Sequence, residues 1–258
     1  MRKLLMLFAT ALVALLWASA APAMARDKEH GGSSDHQKRG DNGEHAFKCN
    51  GTITGQTIKS DLVVPPNGVC VLSNSTVLGG VDVHRNAYFE SDNSTIKEDV
   101  QGDQAQTVFI NTGSKVGDNV LGEQTAEVFV FNSTVGGVSV ERATDQAEVC
   151  GTTVNGRGID IARSGQDILV GDPLTAGCAG NTVSRGSVLI AQNSTNVELI
   201  VRGNSVPNGN MYILNNVGTS DKEVQTNTGG KTLKCTGNAA PFVGGPNGTW
   251  HSKHGQCF

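Results

Sequence analysis

The stretch Ser73-Asn74-Ser75-Thr76-Val77-Leu78-Gly79-Gly80-Val81-Asp82-Val83 decides the fold, because it keeps returning. It comes back as Asn93-Ser94-Thr95-Ile96 with Val100, as Gly113-Ser114-Lys115-Val116 with Val120, and as Asn132-Ser133-Thr134-Val135 with Val138 and Val140. Gly151-Thr152-Thr153-Val154 follows with Ile159 and Ile161, and looser copies begin at Gly55, Gly180 and Gly203. The first apolar anchors are Ile58, Val77, Ile96, Val116, Val135, Val154, Val183 and Val206, at steps of 19, 19, 20, 19, 19, 29 and 23 residues. A repeat of this length is too short for a packed helix pair and suits one coil of a solenoid. The step of 29 marks an insertion around Asp172-Pro173.

A second line of apolar residues runs through Val69, Phe89, Phe109, Phe129, Val149 and Leu169, each twenty residues after the last. Placing this line inside the coil predicts a stack of Phe89, Phe109 and Phe129. Alternate strand residues face opposite ways, so Val108, Ile110, Val128 and Val130 then form an outward apolar stripe. Glu90 and Glu148 share its even-numbered phase. Such a stripe is either a packing surface for a partner or second copy, or the seat of a covering loop.

Thirty-three glycines and abundant Val, Thr, Asn and Ser argue for short strands broken by turns. The expected fold is all-β: a single-stranded parallel β-helix over residues 47–258, with coils of about 19–20 residues. At about 4.8 Å per coil, residues 49–257 allow about ten coils and a rod of roughly 45–50 Å. Asn74, Asn93 and Asn132 begin Asn-Ser-Thr, and Asn50, Asn193 and Asn247 also fit the glycan-acceptor pattern. Because the Asn residues keep phase with the repeat, the competing reading is a ladder of stacked amides along the axis.

Arg2-Lys3, an apolar run from Leu4 to Trp17 and Ala23-Met24-Ala25 have the form of a secretory signal peptide over residues 1–25. Residues 26–46 are charged and poor in large apolar side chains, which predicts a disordered arm. No transmembrane segment is expected in the mature chain. All six cysteines (Cys49, Cys70, Cys150, Cys178, Cys235 and Cys257) lie beyond the leader, as disulfides in a secreted chain would. Many pairings are open, but the solenoid favours neighbours. Cys49 with Cys70 and Cys235 with Cys257 would staple the two ends, and Cys150 with Cys178 would close the insertion. Zinc is the rival, without a C-x-x-C pair to support it.

The segments Cys49-Asn50-Gly51-Thr52 and Val64-Pro65-Pro66-Asn67-Gly68-Val69-Cys70-Val71-Leu72 resemble the start of secreted bacterial short-coil β-helix proteins. Lys234-Cys235-Thr236-Gly237-Asn238 and Gly255-Gln256-Cys257 are similar to their closing segment. The resemblance spans residues 49–257 and implies fold and export; these relatives are largely uncharacterised and imply no activity. Bactofilins share short coils, so the likeness to them is architectural alone.

Removing residues 1–25 takes away Arg2, Lys3 and no acid, turning a formal charge of −4 into −6. That speaks against nucleic acid as a partner. No phosphate loop, dinucleotide fingerprint or nucleophile elbow is present, and no cofactor is expected. A pectate-lyase-like site would need carboxylates on adjacent coils for Ca²⁺ and a basic residue nearby. The outward position of the Val-x-Val strand carries Asp82, Gln101, Leu121, Ser139 and Asp160, with its acids far apart; Asp99, Asp103 and Asp118, near Arg85, come closer. His30, His36 and His45 in the arm, and His251 and His254 near the end, are weak metal candidates beside the reading of solvated residues. The expected function is a secreted, non-catalytic β-helix with a structural, cell-surface or envelope role. Its partners would be itself, a cell surface or a glycan. The alternative is a carbohydrate-active β-helix that binds or cleaves an acidic polysaccharide.

Overall fold

The computed structural model of the protein describes residues 46–258. The expected leader over 1–25, and the arm up to residue 45 with its three histidines, lie outside the described residues. Every regular element described is a β-strand. One ten-stranded sheet takes a single strand from each coil, beginning with Gly51–Thr54, Val69–Ser73 and Tyr88–Asp92 and ending with Phe242–Gly244. The Thr-Val and Val-x-Val segments build the other walls. They merge into one 17-stranded sheet because Lys115–Glu123, Thr134–Glu141 and Thr153–Ala162 run through the bend between them. Each strand pairs in parallel with its equivalent in the next coil, as in Ile58↔Val77↔Ile96 and Val81↔Val100↔Val120. This is the parallel β-solenoid of about ten coils that the repeat predicts.

All eight anchors, from Ile58 to Val206, are buried in one continuous core. The ten-stranded sheet, by contrast, is turned the other way from the expectation. Val108, Ile110, Val128 and Val130 are each 0 % exposed, so the four residues expected outside form core. Phe89 is inside, and its partner one coil on is Val108, not Phe109. Phe109 pairs with Glu90 and Phe129, and Phe129 with Glu148; all of these face out. The cause is parity. The coil step here is nineteen from Phe89 to Val108 and twenty from Phe109 to Phe129. A step of nineteen moves the inward set from odd to even numbers, and side chains alternate with period two. A line drawn every twenty residues therefore crosses the wall: Val69 is 49 % exposed, Phe89 is inside and Phe109 is outside.

Polar ladders hold the corners. At one corner Ser75, Ser94, Ser114, Ser133 and Thr152 are buried in successive coils. Ser75 N–H donates to Ser94 Oγ at 3.0 Å, and Ser94 Oγ donates to Asp92 O at 2.8 Å. Beyond the insertion the same corner becomes Asn181, Asn204, Asn227 and Asn247. Asn181 Oδ1 accepts Thr152 N–H at 2.9 Å, and from Asn204 on each Asn Oδ1 accepts the backbone N–H and the Nδ2–H of the Asn one coil before, as at Asn204 (3.0 and 2.9 Å). A second ladder runs through Ser164, Asn193, Asn216, Asn238 and Gln256. The stacked-amide reading thus holds for Asn193 and Asn247, whose amides are committed inside. Asn50, Asn74, Asn93 and Asn132 are exposed. Asn93 Nδ2 still donates to Asn74 Oδ1 at 2.6 Å, and Asn74, Asn93 and Asn132 all sit at φ near +45–48°, where Asn is tolerated.

The cysteines pair as expected, with Cα–Cα distances of 5.6 Å for Cys49–Cys70, 4.7 Å for Cys150–Cys178 and 5.4 Å for Cys235–Cys257. At the C-terminal end the chain closes its own ladders. Gln256 Oε1 accepts from Asn238, Cys257 O accepts Asn247 Nδ2–H at 2.8 Å, and Trp250 lies buried over Gly229 with its indole N–H on Asn227 O.

Candidate functional site: the outer face of the ten-stranded sheet

The reversed register puts on the outer face what the twenty-residue line had placed in the core. Alternate residues of each strand face outside, the first, third and fifth in Val69–Ser73, Tyr88–Asp92 and Glu127–Phe131, giving three columns that run along the stack. The middle column reads Val71, Glu90, Phe109, Phe129, Glu148, Leu169, Ile200 and Glu223. The column before it reads Tyr88, Thr107, Glu127, Gln146, Asp167 and Glu198. Three half-buried rings form its apolar patch. Phe109 meets Phe129 edge-on at 5.7 Å and Phe131 at 5.6 Å, and Phe129 lies 5.9 Å from Phe131. These are the edge-to-face arrangements that ring quadrupoles favour.

The insertion roofs one end of this face. Cys150–Cys178 lies on the outside of the coil, where both sulfurs pack with Leu169, Ile200 and the ring of Phe131 in a small cluster separate from the main core. Arg202 is buried beside it, giving its guanidinium to Asp172 at 2.5 Å and to Glu223. Asp172 also accepts Thr175 Oγ–H at 2.6 Å, which fixes the start of the loop. The insertion is thus bolted down by one disulfide and one buried ion pair.

Carboxylates surround the rings. Tyr88 donates its hydroxyl to Glu90 at 2.8 Å, and Thr107 donates to Glu127 at 2.7 Å. Burial, with the Glu90 carboxylate at the end of that hydrogen bond, pushes the Tyr88 hydroxyl upward. Glu148 is pushed up to about 7, first by burial and then by the charges of Asp167, Glu198 and Glu127. Asp167 is pushed up to about 6 by burial, Glu198 and Asp145, against a hydrogen bond from Gln146. It is only 9 % exposed, and its Oδ1 has no hydrogen-bond partner. Its cover comes from an irregularity: pairing jumps from Gly165↔Ser194 to Asp167↔Glu198, so residues 195–197 bulge beside it. Carboxyls held near neutrality in partly apolar surroundings can exchange protons near physiological pH or receive a cation.

The other candidates disperse. Asp82, Gln101, Leu121, Ser139 and Asp160 do stack in one outward column, with the two acids separated by three neutral coils. Asp99 accepts from the backbone and side chain of Asn119 at 2.8 and 3.0 Å, and Arg85 Nε donates to Gln104 at 2.8 Å. Arg85 and Gln104 line an open depression of about 420 Å³ with Gln106, Gln124 and Thr144, and no carboxylate borders it. His251 and His254 are exposed. Among the described residues, no three His, Cys, Asp or Glu side chains are grouped to hold a metal ion. Nor is any described helix long and apolar enough to cross a membrane.

The residues missed from sequence are Phe109, Phe129, Phe131, Glu127, Asp167 and Glu198. A signal existed for part of this set. The inward residue of the sheet strand precedes the Thr-Val anchor by seven at Cys70/Val77, Phe89/Ile96, Val128/Val135 and Ala147/Val154, which places Val128 inside and Phe129 outside. The offset is eight at Val108/Val116, so the same rule puts Phe109 on the wrong side.

No protein-family model matches this chain, and comparisons with curated proteins and with solved structures find no match.

Proposed function

We propose that this chain is an exported, non-catalytic β-solenoid whose work is to present a contact face in a structural, cell-surface or envelope role. The observation that carries this reading is the Phe109–Phe129–Phe131 cluster, three large rings left half-open on a rigid parallel sheet. Rings held open to solvent on a hydrogen-bonded wall are what an interface uses, because they supply large contact area at small entropic cost. Three disulfides and a leader-like N-terminus accord with export. The test compares the full chain with a Phe109→Ser/Phe129→Ser variant, produced in the native host, for retention on the cell envelope and for self-association in sedimentation. The reading expects the variant to lose one or both while its β-sheet circular dichroism persists. Unchanged retention and assembly would sink it.

One observation favours a second reading, a carbohydrate-active β-helix. Glu148 and Asp167 are both raised by burial, to about 7 and about 6, beside aromatic rings, and a carboxyl kept protonated next to sugar-stacking surface is what glycoside chemistry employs as its general acid. A glycan-array and polysaccharide-degradation screen decides between the two. Chain shortening of an acidic polysaccharide that is abolished by Glu148→Gln would establish the second reading and overturn the first.

A further inference from the structure

The chemistry of the outer face narrows the partner, on the reading that this face is the contact surface. From the strand Val69–Ser73 to the outward side chain of Glu198, its outward positions include Glu90, Asp92, Glu127, Glu148, Asp167 and Glu198 and no Lys or Arg. The next cation along the face, Arg202, is already held by Asp172 and Glu223. We propose that this face binds a basic amphipathic peptide segment, whose apolar side chains sit on Phe109, Phe129 and Phe131 and whose ammonium or guanidinium groups lie among Glu127, Glu148 and Asp167.

Three independent features meet here. The sign of the charge works against an anionic partner and for a cationic one, since like charges placed face to face cost several kcal/mol. The rings demand apolar groups and also attract cations over their faces, which a simple polyamine would exploit only in part. The third feature is Asp167 Oδ1, an acceptor buried next to Glu148 and Glu198 with nothing donating to it. An orphaned buried acceptor costs free energy that an N–H group recovers once the 195–197 bulge yields to it. Asp167 and Glu198 are register partners on consecutive coils, about 4.8 Å apart, and Glu148 stands in the adjacent column one coil before Asp167.

The site should respond to pH. The groups that face Glu148 and Asp167 from the neighbouring strands and turns are Glu127, Asp145, Gln146 and Glu198, with the Tyr88–Glu90 pair further along the face. Every charge among them is negative, so protonation weakens the hold on a cation.

The experiment uses the full chain and three fluorescent twelve-residue probes. One alternates Lys with Leu, one has Glu in place of every Lys, and one has Ser in place of every Leu. Fluorescence anisotropy at low salt and pH 8 should show saturable binding of the Lys/Leu probe, at least about tenfold tighter than either control and about tenfold weaker at pH 5. Glu148→Gln, which removes a repelled charge and so should fold, is expected to weaken the Lys/Leu probe several-fold, as is Phe109→Ser. Equal binding of the Lys/Leu and Glu/Leu probes, or unchanged affinity in both variants, overturns the proposal. If that happens while the Phe109→Ser/Phe129→Ser variant still loses envelope retention, the contact-face reading survives and only the partner's chemistry is wrong.

Discussion

Asn204 offers the sharpest test of what holds the C-terminal coils together. Its side chain is buried and makes four hydrogen bonds. Oδ1 accepts Asn181 N–H at 3.0 Å and Asn181 Nδ2–H at 2.9 Å; Nδ2 donates to Val170 O at 2.7 Å and to Asn227 Oδ1 at 2.9 Å. Asn204→Ala strands the Asn181 backbone N–H, one Asn181 amide hydrogen and the Val170 carbonyl, while Asn227 Oδ1 keeps the Asn204 backbone N–H at 3.0 Å. At about 1–3 kcal/mol for each stranded group, and allowing for partial relaxation, the cost should be about 3–6 kcal/mol. Asn204→Ser should cost distinctly less, because Ser at this corner in the earlier coils accepts the preceding backbone N–H and donates to carbonyls, as Ser94 does. Asn204→Asp keeps the size but replaces the Nδ2 donor with a carboxylate oxygen aimed at two acceptors, Val170 O and Asn227 Oδ1, and should be at least as damaging as Ala at neutral pH. Denaturant melts of the three variants, followed by circular dichroism, give the ranking. An Ala variant within about 1 kcal/mol of the parent, or a Ser variant as unstable as Ala, would show that the stacked amides do not carry the stability assigned to them here.

The register is tested by a pair of truncations: Ile110→Ala, fully buried, should cost about 2–5 kcal/mol, and Phe109→Ala, on the outer face, about 1–2 kcal/mol, with the reverse order placing the rings inside after all. Glu148 is raised in the folded chain from its ordinary 4.5 to about 7, so its stabilising contribution is complete below about pH 4.5 and lost as pH rises through 7. Thermal melts should therefore show a decline between pH 5 and 8 that Glu148→Gln flattens, and an unchanged slope in that variant would refute the assignment. Replacing Cys150 and Cys178 together by Ala should free the insertion, so that limited proteolysis cuts within residues 171–180 first while the coils before it stay protected. Equal resistance of both proteins would mean that Arg202 and its carboxylates hold the loop unaided.

The coil and its parallel ladders were legible in the residues alone, whereas the residues leave the cysteine pairing open and only the solenoid step favours neighbours. Thr76-Val77 and its copies recur at a nearly constant step, and a solenoid converts sequence distance directly into the contact one coil away. Cysteines about one coil apart, such as Cys49 and Cys70, are brought together by that conversion. The insertion at Asp172-Pro173 was equally visible, as a break in the step, and the structure closes it with Cys150–Cys178.

The candidate site was not legible in the same way, because it depends on which side of a wall a side chain takes. Phe89 and Phe109 look equivalent at twenty residues, yet the coil between them closes in nineteen, and one residue of slip exchanges the two faces of a strand. Where the step is odd or even is decided by the corners, where one residue more or fewer is accommodated by turns such as Asn111-Thr112. Likewise Asn193 and Asn247 carry the same acceptor pattern as Asn74 and Asn93, and only stacking distinguishes the buried amides from the exposed ones. The sequence alone determined how the chain winds, since that follows from local periodicity. Tertiary structure alone decided which residues the winding leaves on the surface, since the neighbouring coils set the register of every strand and gather Phe109, Phe129, Glu148 and Asp167 onto one face.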